Sequence, residues 1–224
     1  MSVEIKIPIT GVTLNTKKKY VEDDITITPN VVKYNGEASE DVTPDIDNLI
    51  NGTMTEIYND RVTSIRANVF ASATNLITAS FPNVTTVGTS AFNSCTKLQN
   101  INFPNLLTYS NTAFSTCTSL TKVSFPKLTE TGIQGFNSCK NLKIADFGAV
   151  TNFRGYSFQG CSSLEYLIIR TPDKVATTDS NIFHSTTFVG TIYVPDDLVE
   201  SYKVATNWAT WADQIKPLSE YVEE

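Results

Sequence analysis

The four cysteines are the residues of this chain with the most chemistry to offer. Cys95, Cys117, Cys139 and Cys161 carry thiols that in other settings ligate zinc, pair as disulfides or act as nucleophiles. A zinc site needs thiolates converging on one ion at about 2.3 Å, usually from CxxC-type pairs with histidine. Here the cysteines stand 22 residues apart without exception, and the one histidine, His184, lies outside their series. On neighbouring coils paired as strands, equivalent positions sit about 5 Å apart, which overlaps the Cα separation of a disulfide. In-register side chains run parallel rather than toward one another, however, and Ala73 and Thr186 replace cysteine in the first and last units. Small, core-compatible replacements mark the cysteines as a structural ladder of small buried groups.

Other reactive arrangements are sparse. No GxGxxG, Walker loop, GxSxG or HExxH occurs in the chain, so phosphate-cradling and zinc-protease chemistry have no sequence basis. A Ser/His/Asp arrangement would have to use His184, in NIFHSTT, where no nucleophile or orienting acid stands beside it. It is expected to be a solvated turn residue. Asp146 and Glu165 fall on adjoining units, but paired glycosidase acids need a cleft, and these would lie on an open face. Asp41, Asp45 and Asp47 lack the glycine and spacing of a calcium loop. No enzyme activity, metal or cofactor is expected.

The elements that position these residues repeat with the cysteines. Phenylalanine recurs at 70, 92, 114, 136 and 158, three residues before each cysteine or its Ala73 counterpart, and leucine at 76, 98, 120, 142 and 164, three after. Ala79, Ile101, Val123, Ala145 and Leu167 follow, then Phe81, Phe103, Phe125, Phe147 and Ile169. A period in this range means a solenoid, each unit burying its apolar face against its neighbours. Within a unit, FNSCTKL reads as a tight turn and LQNINFP as a short strand closed by proline, at Pro82, Pro104 and Pro126. A second apolar pair, such as Val84 and Val87, marks another extended piece.

The ends differ from the middle. Residues 50 to 69 resemble a degraded first unit, as a capping repeat should be. The unit from Phe158 is lengthened to 25 residues. TIYV at 191 to 194 reads as a last strand, Pro195 as a helix N1 residue, and Trp208 and Trp211 as a seal on the core. Residues 1 to 46 hold alternating runs, VEIKIPI and ITITPNVV, which are strand-like yet too few to make a core. They are expected to pack on another chain or on the solenoid's side, followed by a linker, DVTPDIDN. The chain thus divides into a strand-rich arm (1–46), a solenoid (47–194) and a C-terminal helical cap (195–224).

Composition narrows the partners. The 224 residues carry 17 basic and 23 acidic groups, a net charge of −6, with no basic stripe beyond Lys17, Lys18 and Lys19. Nucleic acid is therefore an unexpected partner. The start MSVEIKIPIT has no basic stretch followed by an apolar core, so no export signal is expected. No segment approaches the roughly 20 apolar residues that span a bilayer.

Binding is expected on the solvent face of the strands. Alternation sends two columns outward, Thr78, Asn100, Lys122, Ile144, Tyr166 and Ser80, Asn102, Ser124, Asp146, Ile168. They change from polar to apolar along the solenoid. Ile144, Tyr166 and Ile168 are expected to form an exposed patch with Lys122 and Asp146, extended by the loop residues Arg154 and Tyr156. The lengthened unit or the C-terminal helix is the competing expectation, as a cover over the patch.

The unit F-x-x-C-x-x-L-x-x-hydrophobic-x-F-P, with the ending TIYVPDDLVESYKVATNW, resembles the BspA-type leucine-rich repeats over about residues 50 to 221. The resemblance implies an α/β solenoid dominated by short strands, of about five units, with no catalytic residues to carry over. Long members with signal and anchor resemble bacterial surface adhesins, and short ones resemble structural proteins of tailed phages. GVTLNTKKKYVEDDITITPN is similar to segments of phage tail and fibre proteins. Two functions follow as expectations. The first is a virion component, assembled in the host cytoplasm where free thiols are tolerated, joined to other virion proteins or to copies of itself through residues 1–46. The second is a secreted adhesin that binds host protein or polysaccharide at the cell surface.

Overall fold

A phenylalanine that returns every 22 residues can be buried every time only if each coil stacks in register on the last. The computed structural model, which describes residues 25–28, 31–34, 55–60, 62–179 and 181–223, has that arrangement. Phe70, Phe92, Phe114, Phe136, Phe158 and Phe183 form a column, with ring centroids 5.5 Å apart from Phe92 to Phe114 and 5.3 Å from Phe114 to Phe136, the rings stacked nearly parallel. Phe81, Phe103, Phe125 and Phe147 form a second column beside it, and all of these rings but Phe183 are essentially sealed from solvent.

Each coil contributes a strand to a parallel sheet. β3 (Glu56–Tyr58), β5 (Thr78–Ser80) and β7 (Asn100–Asn102) pair in sequence, and β9 (Lys122–Phe125), β10 (Ile144–Phe147), β12 (Tyr166–Ile169) and β14 (Thr191–Val194) form a second set. Register is one unit per step, as in Ile144↔Tyr166 and Asp146↔Ile168. The short strands β4 (Ser64–Ile65), β6 (Thr86–Val87), β8 (Thr108–Tyr109), β11 (Asn152–Phe153) and β13 (Thr177–Thr178) build the second side, with Glu130 bridging β8 to β11. Proline at 82, 104 and 126 has no N–H to give the ladder. At the same place in later coils, Gly148 and Arg170 donate theirs to Phe125 and Phe147 carbonyls at 3.1 and 2.9 Å.

The corner of each coil is tight because two residues take left-handed backbone. Ser90, Thr112, Gln134 and Tyr156 stand two places before a phenylalanine, and Ser94, Thr116, Ser138 and Gly160 two places after. Only Gly160 adopts this conformation without steric cost. The others are held there because the corner also bonds between coils: Ser94, Thr116 and Ser138 donate N–H to the carbonyls of Ser115, Asn137 and Gln159 at 2.7 to 2.8 Å.

The two ends differ. β2 (Val31–Tyr34) pairs parallel with β3, and β1 (Ile25–Thr28) pairs antiparallel with β2, so the ITITPNVV run is a hairpin that continues the solenoid's sheet. The VEIKIPI run and the DVTPDIDN linker lie outside the described residues. At the other end, Pro195 keeps extended backbone and precedes a 3-10 turn, Asp196–Leu198; the α-helix, α1 (Val199–Val204), starts later than an N1 proline would place it. A further strand, β15 (Ile215–Pro217), pairs with β14 inside the expected helical cap. Trp208 is fully buried and its indole N–H donates to the Ala176 carbonyl at 2.6 Å, while the Tyr202 hydroxyl accepts the Ala176 N–H at 2.8 Å. The lid thus supplies the bonds that a following coil would have made. Trp211 packs edge-on against Phe183 at 4.9 Å.

Candidate binding face

The four cysteines are free and buried, and no three His, Cys, Asp or Glu side chains among the described residues are grouped to hold a metal ion. Each thiol donates to the phenylalanine carbonyl of the preceding coil: Cys95 to Phe70 at 3.0 Å, and Cys117, Cys139 and Cys161 to Phe92, Phe114 and Phe136 at 3.1 Å. The hydroxyl of Thr186 makes the same bond to Phe158, at 3.4 Å. Burial pushes the thiols of Cys117 and Cys139 well up and that of Cys161 up to about 12. They are protonated donors, which is the opposite of a reactive thiolate. The reading of cysteine as a small hydrophobe missed this role; the cue lay in Thr186, a hydroxyl at a cysteine position.

The expected patch divides into two groups on different sides of the solenoid. Lys122, Ile144, Asp146, Tyr166 and Ile168 lie together on the solvent side of β9, β10 and β12. Arg154 and Tyr156 follow β11 on the other ladder, where Arg154 pairs with Glu130 at 2.9 Å and the Tyr156 ring meets exposed His184 at 5.4 Å. They do not extend the patch, because the turn after Gly148 carries the chain around to the second side.

Ile168 corrects a second expectation. It points outward, outside the main core, yet has no exposed surface. A segment after β15, beyond a 3-10 turn at Leu218–Glu220, reaches this face. Tyr221 lies with its ring 5.2 Å from Tyr193 and 6.0 Å from Tyr166, on either side of Ile168, and the Arg170 guanidinium stands 6.0 Å from the Tyr221 ring centre. Glu223 continues across to β9, where its carboxylate accepts from Lys122 Nζ at 2.7 Å. Burial under this contact raises the Tyr221 phenol, and the hydrogen bond to Lys122 lowers the Glu223 carboxyl.

The charges of the face are largely matched. Arg170 gripping Asp146 with both ends of its guanidinium, at 2.8 and 2.9 Å, is raised by that bond. Lys143 pairs with Glu165 at 3.0 Å. The two carboxylates suggested by sequence are therefore each held by a cation, and no cleft separates them. Tyr193, Arg170, Tyr221 and Glu223 were missed as members of the face. Alternation along TIYV places Tyr193 outward, but nothing in the sequence brings residue 221 over β12.

Comparison with known proteins agrees with this geometry. Residues 105–205 match the model of the BspA type leucine rich repeat region, in six copies. The chain is similar to a solved leucine rich cell surface protein from Faecalibacterium prausnitzii A2-165, with a TM-score of 0.60 and 21% identity over 80% of this chain and 55% of that one. The pneumococcal vaccine antigen PcpA matches with a TM-score of 0.48 and 19% identity, over 78% of this chain and 49% of that one. A leucine rich repeat protein of T. pallidum matches with a TM-score of 0.42 and 19% identity, over 82% and 94% of the two chains. This chain thus spans about half the length of the first two. Among curated proteins no sequence matches it. The matches establish the leucine-rich-repeat fold, include no catalytic family, and lend no support to the resemblance of the N-terminal segment to phage tail and fibre proteins. No helix among the described residues is long and apolar enough to cross a membrane.

Proposed function

We propose that this chain is a non-enzymatic, surface-displayed binding module, and that a partner protein docks on the solvent face of β9, β10, β12 and β14. The observation that carries this reading is the face itself. Two tyrosines, Tyr166 and Tyr193, flank Ile168 on a rigid parallel ladder, with Arg170 and Lys122 at its edges. Tyrosine and arginine on a preorganised surface are the side chains that most often anchor protein contacts. The F. prausnitzii relative is by its title a cell surface protein, and an adhesive role at a bacterial surface accords with that.

The test is attachment of labelled protein to host cells and to immobilised matrix proteins and polysaccharides. A Tyr166→Ser/Tyr193→Ser double variant is expected to lose attachment while keeping a cooperative melt. Unchanged attachment would move the contact off this face, and attachment to polysaccharide alone would overturn the protein-partner assignment.

A second reading, a virion component joined through residues 1–46, draws on one observation. Among the described residues the outer edge of β1 has no neighbouring strand, and an open edge can accept a strand from another chain. Light scattering on the full chain separates the two: an oligomer supports the assembly arm, and a monomer counts against it.

A further inference from the structure

We propose that the β9–β10–β12–β14 face takes an extended segment of a partner protein carrying an aromatic residue followed two places later by a carboxylate. Residues 221–223 of this chain are an internal stand-in for that segment. The proposal rests on the docking face described above and specifies what it binds.

The internal segment shows what the face recognises. Tyr221 sits against Tyr193 and Tyr166 at 5.2 and 6.0 Å, with Arg170 over its ring at 6.0 Å. Glu223 meets Lys122 at 2.7 Å. Val222 between them is 78% exposed. An extended chain alternates its side chains, so residues 221 and 223 face the sheet and 222 faces water. The recognised pattern is therefore aromatic-x-acidic. Its electrostatics are local. The chain as a whole carries −6, but Asp146 and Glu165 are already paired with Arg170 and Lys143. Glu223 is thus the group that answers Lys122, and β15 adds exposed Lys216 alongside Tyr193.

The segment is also held in a way that permits exchange. It crosses the strands instead of extending the sheet, and among the described residues its backbone is tied down at its start, where the Tyr221 N–H reaches the Leu218 carbonyl and the Ser219 N–H reaches Asp196. Beyond that, among the described residues, side chains hold it. An exposed ion pair contributes little, yet a tethered segment competes at an effective concentration on the order of mM. Weak contacts therefore keep it seated, and a partner segment with the same pattern and further contacts displaces it. Once it lifts, the Tyr166 and Tyr193 rings that it packs against are freed, which supplies the apolar centre of the docking surface.

The experiment uses the full chain and a labelled peptide, Leu-Ser-Glu-Tyr-Val-Glu-Glu. Backbone amide shifts are followed by NMR in the native protein and in a Tyr221→Ser/Glu223→Ala variant whose face is vacated. The variant is expected to bind saturably, with shifts at residues 122–124, 144–146 and 166–168, and the native protein to require about ten-fold more peptide or more. Adding Lys122→Glu to the vacated variant is expected to abolish binding, and a peptide with lysine in place of its sixth residue to restore it. Equal responses in native and vacated protein, or no saturable shift by about 5 mM peptide, would overturn the proposal, provided that both proteins melt alike. If the peptide fails while the Tyr166/Tyr193 variant still loses attachment, the face binds something else and the proposed function stands. If both fail, both are wrong.

Discussion

Substitution of Cys117 tests whether the thiols act as donors or merely fill space. Cys117 is fully buried and its thiol lies 3.1 Å from the Phe92 carbonyl. That carbonyl also accepts the Cys95 N–H at 3.2 Å, so losing the thiol does not leave it orphaned. Cys117→Ala removes the sulfur and one of two hydrogen bonds and leaves a small cavity, for about 1–2 kcal/mol. Cys117→Ser keeps a donor at the cost of some packing, as Thr186 does naturally, and is expected to cost less than alanine. Cys117→Asp places a carboxylate against a carbonyl oxygen in a sealed core, and a buried unpaired charge costs several kcal/mol. The order of urea midpoints at pH 7, followed by circular dichroism, is therefore native, serine, alanine, then aspartate far below. At about 2–4 °C per kcal/mol for a chain of this size, alanine lowers the melting temperature by roughly 2–8 °C. Serine less stable than alanine would refute the donor role. Aspartate as stable as the native protein would refute the buried ladder altogether.

Two further outcomes follow from the same geometry. The thiols of Cys117, Cys139 and Cys161 ionise at higher pH folded than unfolded, Cys161 at about 12 against an ordinary 9.0. Above the unfolded value the folded chain retains protons that the unfolded chain has released, so their stabilisation is complete below about pH 9 and is lost as pH rises toward 12. Urea midpoints are expected to fall through that window, by about 1.4 kcal/mol per pH unit for each such thiol, and the Cys161→Ala variant to fall less steeply; parallel curves would count against it. At Gly148 an added methyl would stand 1.9 Å from the Pro126 carbonyl oxygen. Gly148→Ala is therefore expected to destabilise by about 1–3 kcal/mol, and an unchanged melt would show that the β9–β10 turn can open.

Much of the fold was legible because a repeat imposes one environment many times. In-register stacking means that whatever Phe92 does, Phe114 and Phe136 also do, so a single period identifies both aromatic columns, the leucines and the cysteines as interior. Alternation along each strand likewise placed Lys122, Ile144, Asp146, Tyr166 and Ile168 on one face. What a periodic argument lacks is any information about parts that break the period. The Arg154 and Tyr156 loops went to the wrong side because a two-residue strand, β11, intervenes and carries them to the other ladder. Ile168 was oriented correctly and is buried unexpectedly, and the Tyr166 ring beside it meets Tyr221 from more than fifty positions along the chain. Local sequence therefore determined the solenoid, its interior and the direction of each side chain. Only tertiary structure decided which of those outward groups meet water, because that depends on where the non-repeating C-terminal segment comes to rest.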